Sequence, residues 1–241
     1  MSQYNTLASF YDALTENVQY EARSAYISGF FSRYGVQHGS TVLDLACGTG
    51  SLTACLRELG YQMTGVDLSP DMLTLAKQKC PDCDFILCSM TEYIARQKFD
   101  ACVSALDSVN HLCSMDEVKQ CFSAVAASLK PNGMFVFDVN TKYKHNQILA
   151  NHTFVFDEDD FYLVWDNEAV DDSTVRILID VFCYNGKNYD RMSEDFLERA
   201  YDLKELQEAL ADFEILGVFD ELTENPPAAD SQRLYFVCKR K

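Results

Sequence analysis

Between Thr41 and Gly50 the chain reads TVLDLACGTG. A β-branched, apolar run ends in an acid and passes at once into a turn carrying Gly48 and Gly50, after which Ser51 to Leu59 suits a helix. This order predicts strand, tight turn, helix. Glycine serves the turn because the backbone there takes positive φ and a ligand must approach it closely, and the free N–H groups opening the helix point at that ligand. A small-molecule cofactor is implied.

The flanking residues decide which one. A phosphate loop needs a lysine after its last glycine, and Gly50 is followed by Ser51, Leu52 and Thr53. A dinucleotide fingerprint needs glycine where Thr53 stands, and Asp44 at the mouth of the turn offers pyrophosphate nothing, which leaves NAD as the runner-up. An acid before the glycines suits a ligand with an ammonium or a sulfonium, and S-adenosylmethionine carries both. A second acid, Asp67 in QMTGVDLS, ends the next strand 23 residues after Asp44, where a carboxylate accepts from ribose hydroxyls.

With these residues the chain resembles the class I S-adenosylmethionine-dependent methyltransferases over roughly residues 4 to 241. LDLACGTG matches their glycine-rich motif, GVDLSPDML the ribose-binding strand end, and LKPNGMFVFDV (Leu129 to Val139) the turn into the fifth strand. The resemblance implies a Rossmann-like α/β fold with a seven-stranded, mostly parallel sheet. It implies Asp67 on the ribose, Leu68, Met72 and Met90 around the adenine, and the turn Ala46, Cys47, Gly48 on the methionine part. Tyr20, Asp44, Gly50 and Leu106 complete the expected cofactor site. Ser89 stands where the family often has aspartate, and its hydroxyl is a weaker acceptor for the adenine amino group.

Along the chain, strands are expected near 41–46, 62–66, 84–87, 99–105 and 133–139, preceded by helices at Asn5 to Leu14 and Tyr20 to Tyr34 and joined by helices at 51–59, 70–79 and 115–129. Met115, Val118, Phe122, Val125 and Leu129 recur at spacings of three and four, a buried helical stripe. After Asn140 the pattern changes to strand-like stretches at 153–156, 161–170, 175–184 and 189–201, with turns at Asp157 to Asp160, Asp171 to Ser173 and Asn185-Gly186. An antiparallel meander is therefore expected as an inserted lid, residues 141–201, within a cofactor domain made of 1–140 and 202–241. About 50 residues of sheet bury too little alone and must pack on something. Phe161, Tyr162, Trp165 and Tyr184 should divide between that packing and the pocket wall. A helix from Asp202 and strands near 213–219 and 233–238 close the sheet.

Composition narrows the partners. A net charge of −17, from 20 basic against 37 acidic residues, opposes nucleic acid and anionic membrane and favours a small-molecule acceptor. MSQYNTLASF lacks a basic region and an apolar core, and no apolar run is long enough to span a bilayer, so a cytoplasmic protein is expected. Most of the ten cysteines sit in apolar elements, as reduced thiols, and the CPDC pair Cys80 and Cys83 lacks two further zinc ligands, so no metal is expected. Asn225-Pro226-Pro227-Ala228 lies between the last two strands and ends in alanine, so it reads as a turn.

Methyl transfer from a sulfonium needs alignment and exclusion of water, and a base only where the nucleophile arrives protonated. Candidates at the strand ends are Tyr11, Tyr20, Asp107, Asn110, His111, Asp138 and Asn140. FYDALTENVQY and the VNHL segment are similar to amino-sugar N-methyltransferases, where an N-terminal tyrosine closes over the cofactor and a histidine lies near the acceptor; Tyr11 and His111 match those positions. The reading is a small-molecule methyltransferase acting on nitrogen. An O-methyltransferase, a protein or RNA methyltransferase, and a non-catalytic S-adenosylmethionine-binding module stay open as rivals.

Overall fold

The computed structural model describes residues 11, 12, 15, 18–159 and 161–241. Helix α1 (Tyr20–Arg33) leads into β1 (Thr41–Leu45), α2 (Ser51–Glu58), β2 (Gln62–Asp67), α3 (Pro70–Lys79), β3 (Asp84–Leu87), β4 (Phe99–Ser104), α4 (Met115–Ser128) and β5 (Leu129–Asn140). A second group follows, β6 (Thr153–Asp157), β7 (Phe161–Ala169), β8 (Thr174–Tyr184) and β9 (Tyr189–Arg199), before α5 (Leu203–Ala209), β10 (Phe213–Asp220) and β11 (Arg233–Arg240). Of the helix expected at Asn5 to Leu14, only Tyr11 and Asp12 are described, both helical; the rest lies outside the described residues.

The helix starts follow local chemistry. Ser69 caps α3 by accepting from Met72 N, with Pro70 in the first turn, and Ser114 with Glu117 and Asp202 with Glu205 form capping boxes on α4 and α5.

Seven strands form one sheet in the order β10-β11-β5-β4-β1-β2-β3. Pairing is parallel from β5 to β3, and β11 runs antiparallel to both of its neighbours. Side chains alternate across it: Phe135 and Phe137 pack with Phe122, Val125 and Leu206 on the α4 and α5 side, while Met134 and Val136 join Ile27, Phe31 and Leu56 on the α1 and α2 side. β5 starts earlier than expected because Leu129 already pairs with Phe99 ahead of a register shift.

The second sheet is the antiparallel meander β6-β7-β8-β9. One face carries Leu163, Ile177, Ile179, Val181 and Phe196 in a small core of its own. The other carries ion pairs such as Arg176 with Asp195 and Arg191 with Asp180, the alternation of a sheet wetted on one side. Tyr184 pairs with Tyr189, so the last hairpin spans four residues, in which Asn185 Oδ1 accepts from Lys187 N and Asn188 N. A turn of π-helix at Lys144–Leu149, which the sequence did not announce, joins the two sheets. Asn110 binds them together: its Oδ1 accepts from Asn140 N at 2.9 Å, and its Nδ2 donates to Asn140 O at 3.1 Å and to Arg199 O at 2.9 Å.

Candidate active site

At the carboxyl ends of β1, β2, β4 and β5 lies a cavity of about 790 Å³, roofed by the apolar face of the meander. Its floor begins with the glycine turn. Ala46, Gly48 and Gly50 have φ of 62°, 54° and 76°, and Gly48 N donates to Asp67 Oδ2 at 2.8 Å. A Cβ on Gly48 would meet nothing within 4 Å, so this backbone faces open space, whereas one on Gly50 would lie 2.9 Å from the Ala76 Cβ. Gly48 leaves room for a ligand, and Gly50 lets α2 and α3 pack.

Asp67 is fixed by that contact and by Ser69 N, which donates to Oδ1 at 2.9 Å. Two amide donors leave a carboxylate further lone pairs for hydroxyl groups. Burial raises its carboxyl above the ordinary value, against the amides that favour the charged form. Leu68, 53 % exposed, and buried Met72 flank it, and Met90 and Ser89 continue the wall. Ser89 Oγ lies 2.8 Å from Thr91 Oγ1 and accepts from Thr91 N, forming a small turn at the rim.

Four residues expected at the cofactor stand behind the wall instead. Asp44 is buried beneath the turn and accepts from the Thr53 hydroxyl. Its burial pushes the carboxyl up to about 7, with the Thr53 bond opposing and Asp67 adding. It can act on a bound cation only through space. Cys47 is buried with its N–H on Val66 O, Gly50 caps α2, and Tyr20, the first residue of α1, packs on the core. Asp44 is turned from the cavity by the alternation of β1, and the other three shape the turn or its support.

Leu106 and Asp107 follow β4 in the left-handed region, φ 58° and 56°, which for residues with side chains must be held by the surroundings. Their N–H groups donate to Asp138 Oδ2 and Oδ1, both at 2.8 Å. Asp138 is fully buried and ion-paired with Arg233, whose guanidinium also lies 3.4 Å from Asp107 Oδ2 and 3.4 Å from Glu221 Oε1. Arg23 donates to Glu221 and to the Tyr235 hydroxyl. Burial acts to raise the Asp107 carboxyl, but Arg233, Lys144 and His111 outweigh it and bring it down to about 2. Asp138 and Asn110 therefore build the floor, while Leu106, Asp107 and Asn140 reach the cavity.

His111 ends a 3₁₀ turn, Ser108–His111, and lines the cavity. Its Nε2 is 3.7 Å from Glu198 Oε1, and its ring packs 5.3 Å from that of Phe196. On the other side of Glu198, Nε2 of buried His145 lies 3.6 Å from Oε2, and His145 Nδ1 is 3.1 Å from Ser173 O. Tyr11 also lines the cavity, and burial raises its phenol well above the ordinary value, so it stays protonated. Its neighbour Asp12 accepts from Lys79 at 2.6 Å and from Thr49 at 2.7 Å, tying this segment to the helices beneath the glycine turn.

Of the four meander aromatics singled out from the sequence, Trp165 lines the cavity and Phe161 lies in the small core. Tyr162 and Tyr184, 39 % and 59 % exposed, point to solvent or stand at a hairpin end and form no part of the wall.

Residues 42–133 match the family model described as a methyltransferase domain. The chain is 32% identical over 245 residues to a putative methyltransferase, YqeM, of Bacillus subtilis, with 98% of this chain and 97% of that one covered. An S-adenosylmethionine-dependent methyltransferase structure from Clostridium acetobutylicum superposes with a TM-score of 0.89 at 31% identity, covering 98% of each chain. The chain belongs to the S-adenosylmethionine-dependent methyltransferases. A shorter likeness, 36% over 100 residues and 41% of this chain, joins it to a dTDP-3-amino-3,4,6-trideoxy-alpha-D-glucopyranose N,N-dimethyltransferase of Streptomyces venezuelae.

This methyltransferase is thus an enzyme whose cofactor is S-adenosylmethionine, and its residues fit that group: open backbone at Gly48, an Asp67 carboxylate with lone pairs to spare, and apolar side chains beside it. Sequence reasoning missed Arg23, Lys144, Glu198, Glu221 and Arg233, which all line the same cavity. Arg233 carried a signal, a cation opening an otherwise apolar strand, RLYFVC.

Proposed function

We propose that this methyltransferase methylates a nitrogen of a small molecule, with His111 as base, Tyr11 closing the cofactor end, and residues 141–201 as the lid. The observation that carries the reading is one continuous cavity of about 790 Å³, near the upper end for small-molecule sites, with Asp67 and Gly48 at one end, the meander at the other and His111 between. Such a volume accommodates a cofactor and a small acceptor together. No helix among the described residues is long and apolar enough to cross a membrane, and the acidic charge disfavours nucleic acid, so the reading includes a cytoplasmic setting with neither as partner.

S-adenosylmethionine, when bound, supplies an electrophilic methyl carbon on a sulfonium. The cofactor set is Ala46, Gly48, Asp67, Leu68, Met72, Ser89, Met90 and Leu106, supported from behind by Asp44, Cys47, Gly50 and Tyr20. Asp67 orients the ribose end, and Leu68, Met72 and Met90 exclude water around the base. His111, whose imidazole lines the cavity, takes the proton that an amine must lose before it attacks. The Tyr11 ring shields the reacting atoms from water. N,N-dimethylation by the Streptomyces venezuelae relative supports nitrogen as acceptor.

A screen of small amines, alcohols and acids with methyl-labelled cofactor, read by mass spectrometry, tests this. Label on nitrogen supports the reading; label on oxygen alone, or only on protein or RNA, overturns it.

A further inference from the structure

The roof of the cavity differs in chemistry from its floor. Phe156, Leu163, Trp165, Ile177, Ile179 and Phe196 give it a continuous hydrocarbon and aromatic wall. At the margin of that wall stands Glu198, 5 % exposed, whose Oε2 accepts no hydrogen bond from any described residue. The imidazole nitrogens of His145 and His111, at 3.6 and 3.7 Å, stand outside hydrogen-bond range. A buried carboxylate left in this state is costly, and a ligand that brings N–H donors relieves the cost.

Anionic ligands find less. Among the described Lys and Arg side chains that line the cavity, Arg23 is held by Glu221, and Arg233 by Asp138, Asp107 and Glu221. Lys144 donates to the neutral Asn140 amide, and burial lowers its pKa. One ammonium among Asp107, Glu198 and Glu221 is a poor match for a diphosphate.

We infer that the acceptor is an apolar-bodied amine, a primary or secondary amine on an aromatic or branched hydrocarbon frame, and not a nucleotide-linked sugar. Its ammonium docks at Glu198 and its body covers the wall from Phe156 to Phe196. The docked ammonium gives one proton to His111. The freed lone pair then forms the N–C bond as the C–S bond breaks, leaving that electron pair on sulfur as a neutral thioether and the positive charge on the methylated nitrogen. The proton leaves His111 to solvent. The inference rests on the nitrogen reading above.

Trp165 is the chain's single tryptophan and stands in the wall, so its fluorescence reports occupancy. The protein saturated with S-adenosylhomocysteine is titrated with 2-phenylethylamine, with 2-phenylethanol, and with a nucleoside diphosphate amino sugar. The amine is expected to bind about tenfold or more tightly than the alcohol, the scale of one charge-assisted hydrogen bond, and Glu198→Gln is expected to erase that preference while S-adenosylhomocysteine affinity holds. Should Glu198→Gln fail to fold, the wild-type comparison of amine with alcohol still decides. Alcohol binding as tightly as amine removes the ammonium subsite, while the nitrogen reading is decided separately by the labelled-cofactor screen. Tighter binding of the sugar nucleotide, or no response to either aryl probe, overturns the substrate class while leaving nitrogen as acceptor intact. A preference for amine that survives Glu198→Gln removes Glu198 from the subsite.

Discussion

In the seven-stranded sheet, β5 is buried without interruption from Gly133 to Asn140. In the meander, β8 alternates, with Val175, Ile177, Ile179 and Val181 buried and Arg176, Leu178 and Asp180 half-exposed between them. The main sheet is covered by helices on both faces and presents only its strand ends to the cavity, and these ends carry acids, amides and a buried guanidinium. The meander presents a whole face, and that face is hydrocarbon. On the proposed function, polar recognition of a fixed cofactor falls to the frame, where positions are held by two layers of packing. On the proposed function, contact with the acceptor falls largely to an element that touches the frame along one side. Cofactor binding and acceptor binding should be separable.

Replacing residues 153–199 with a short loop is the strongest test: transfer is expected to vanish while calorimetry still detects S-adenosylhomocysteine binding. Loss of both together would break the division. His111→Ala, at the junction of the two regions, should lower kcat by about 10²-fold with cofactor affinity little changed, and Tyr11→Phe should cost less than Tyr11→Ala. Asp67→Ala, inside the frame, should weaken S-adenosylhomocysteine by about 1.5 to 3 kcal/mol, the range for hydrogen bonds to a charged group. Unchanged affinity would remove Asp67 from the site.

Asp44 gives the frame a pH signature. Its carboxyl sits at about 7 in the fold and near 3.9 in an unfolded chain. The folded state therefore holds the extra proton across that interval, and stability falls as pH rises from about 4 to about 7. Asp44→Asn should flatten this dependence by on the order of 1 to 3 kcal/mol, read as a narrower gap between melting temperatures at pH 5 and pH 8; an unaltered gap would assign the pH dependence elsewhere. The smallest effect is expected at the rim. Ser89→Asp should tighten cofactor binding a few-fold if residue 89 faces the adenine amino group, since the acceptor becomes charged and can still cap Thr91 N. Looser binding would turn Ser89 away from the base.

The frame was legible because its signals are local. Strand, turn and helix at Thr41 to Glu58 are written in consecutive residues, and Asp67 announces itself by ending the next strand. Asp44 was legible as an acid but not as a buried one, since its partner Thr53 approaches from the next helix. Glu198 and Arg233 were not legible because each acquires meaning only from distant chain: Arg233 meets Asp138 across a sequence separation of 95, and Arg199, beside Glu198, meets Asn110 across 89. The meander's strands could be read from alternation, yet which face met the cavity depended on how it docks, which is why Phe161, Tyr162, Trp165 and Tyr184 were expected to divide between packing and wall while Tyr162 and Tyr184 join neither the wall nor the buried core.

The Asn110 side chain holds the end of β5 and the end of β9 at once. The two ends of residues 141–199 thus meet at one side chain of the frame, with Arg199 Nη1 donating to Cys113 O close by. On the proposed function, a change of roof between those two ends would alter the acceptor side of the cavity while the strand ends at Gly48 and Asp67 keep their places.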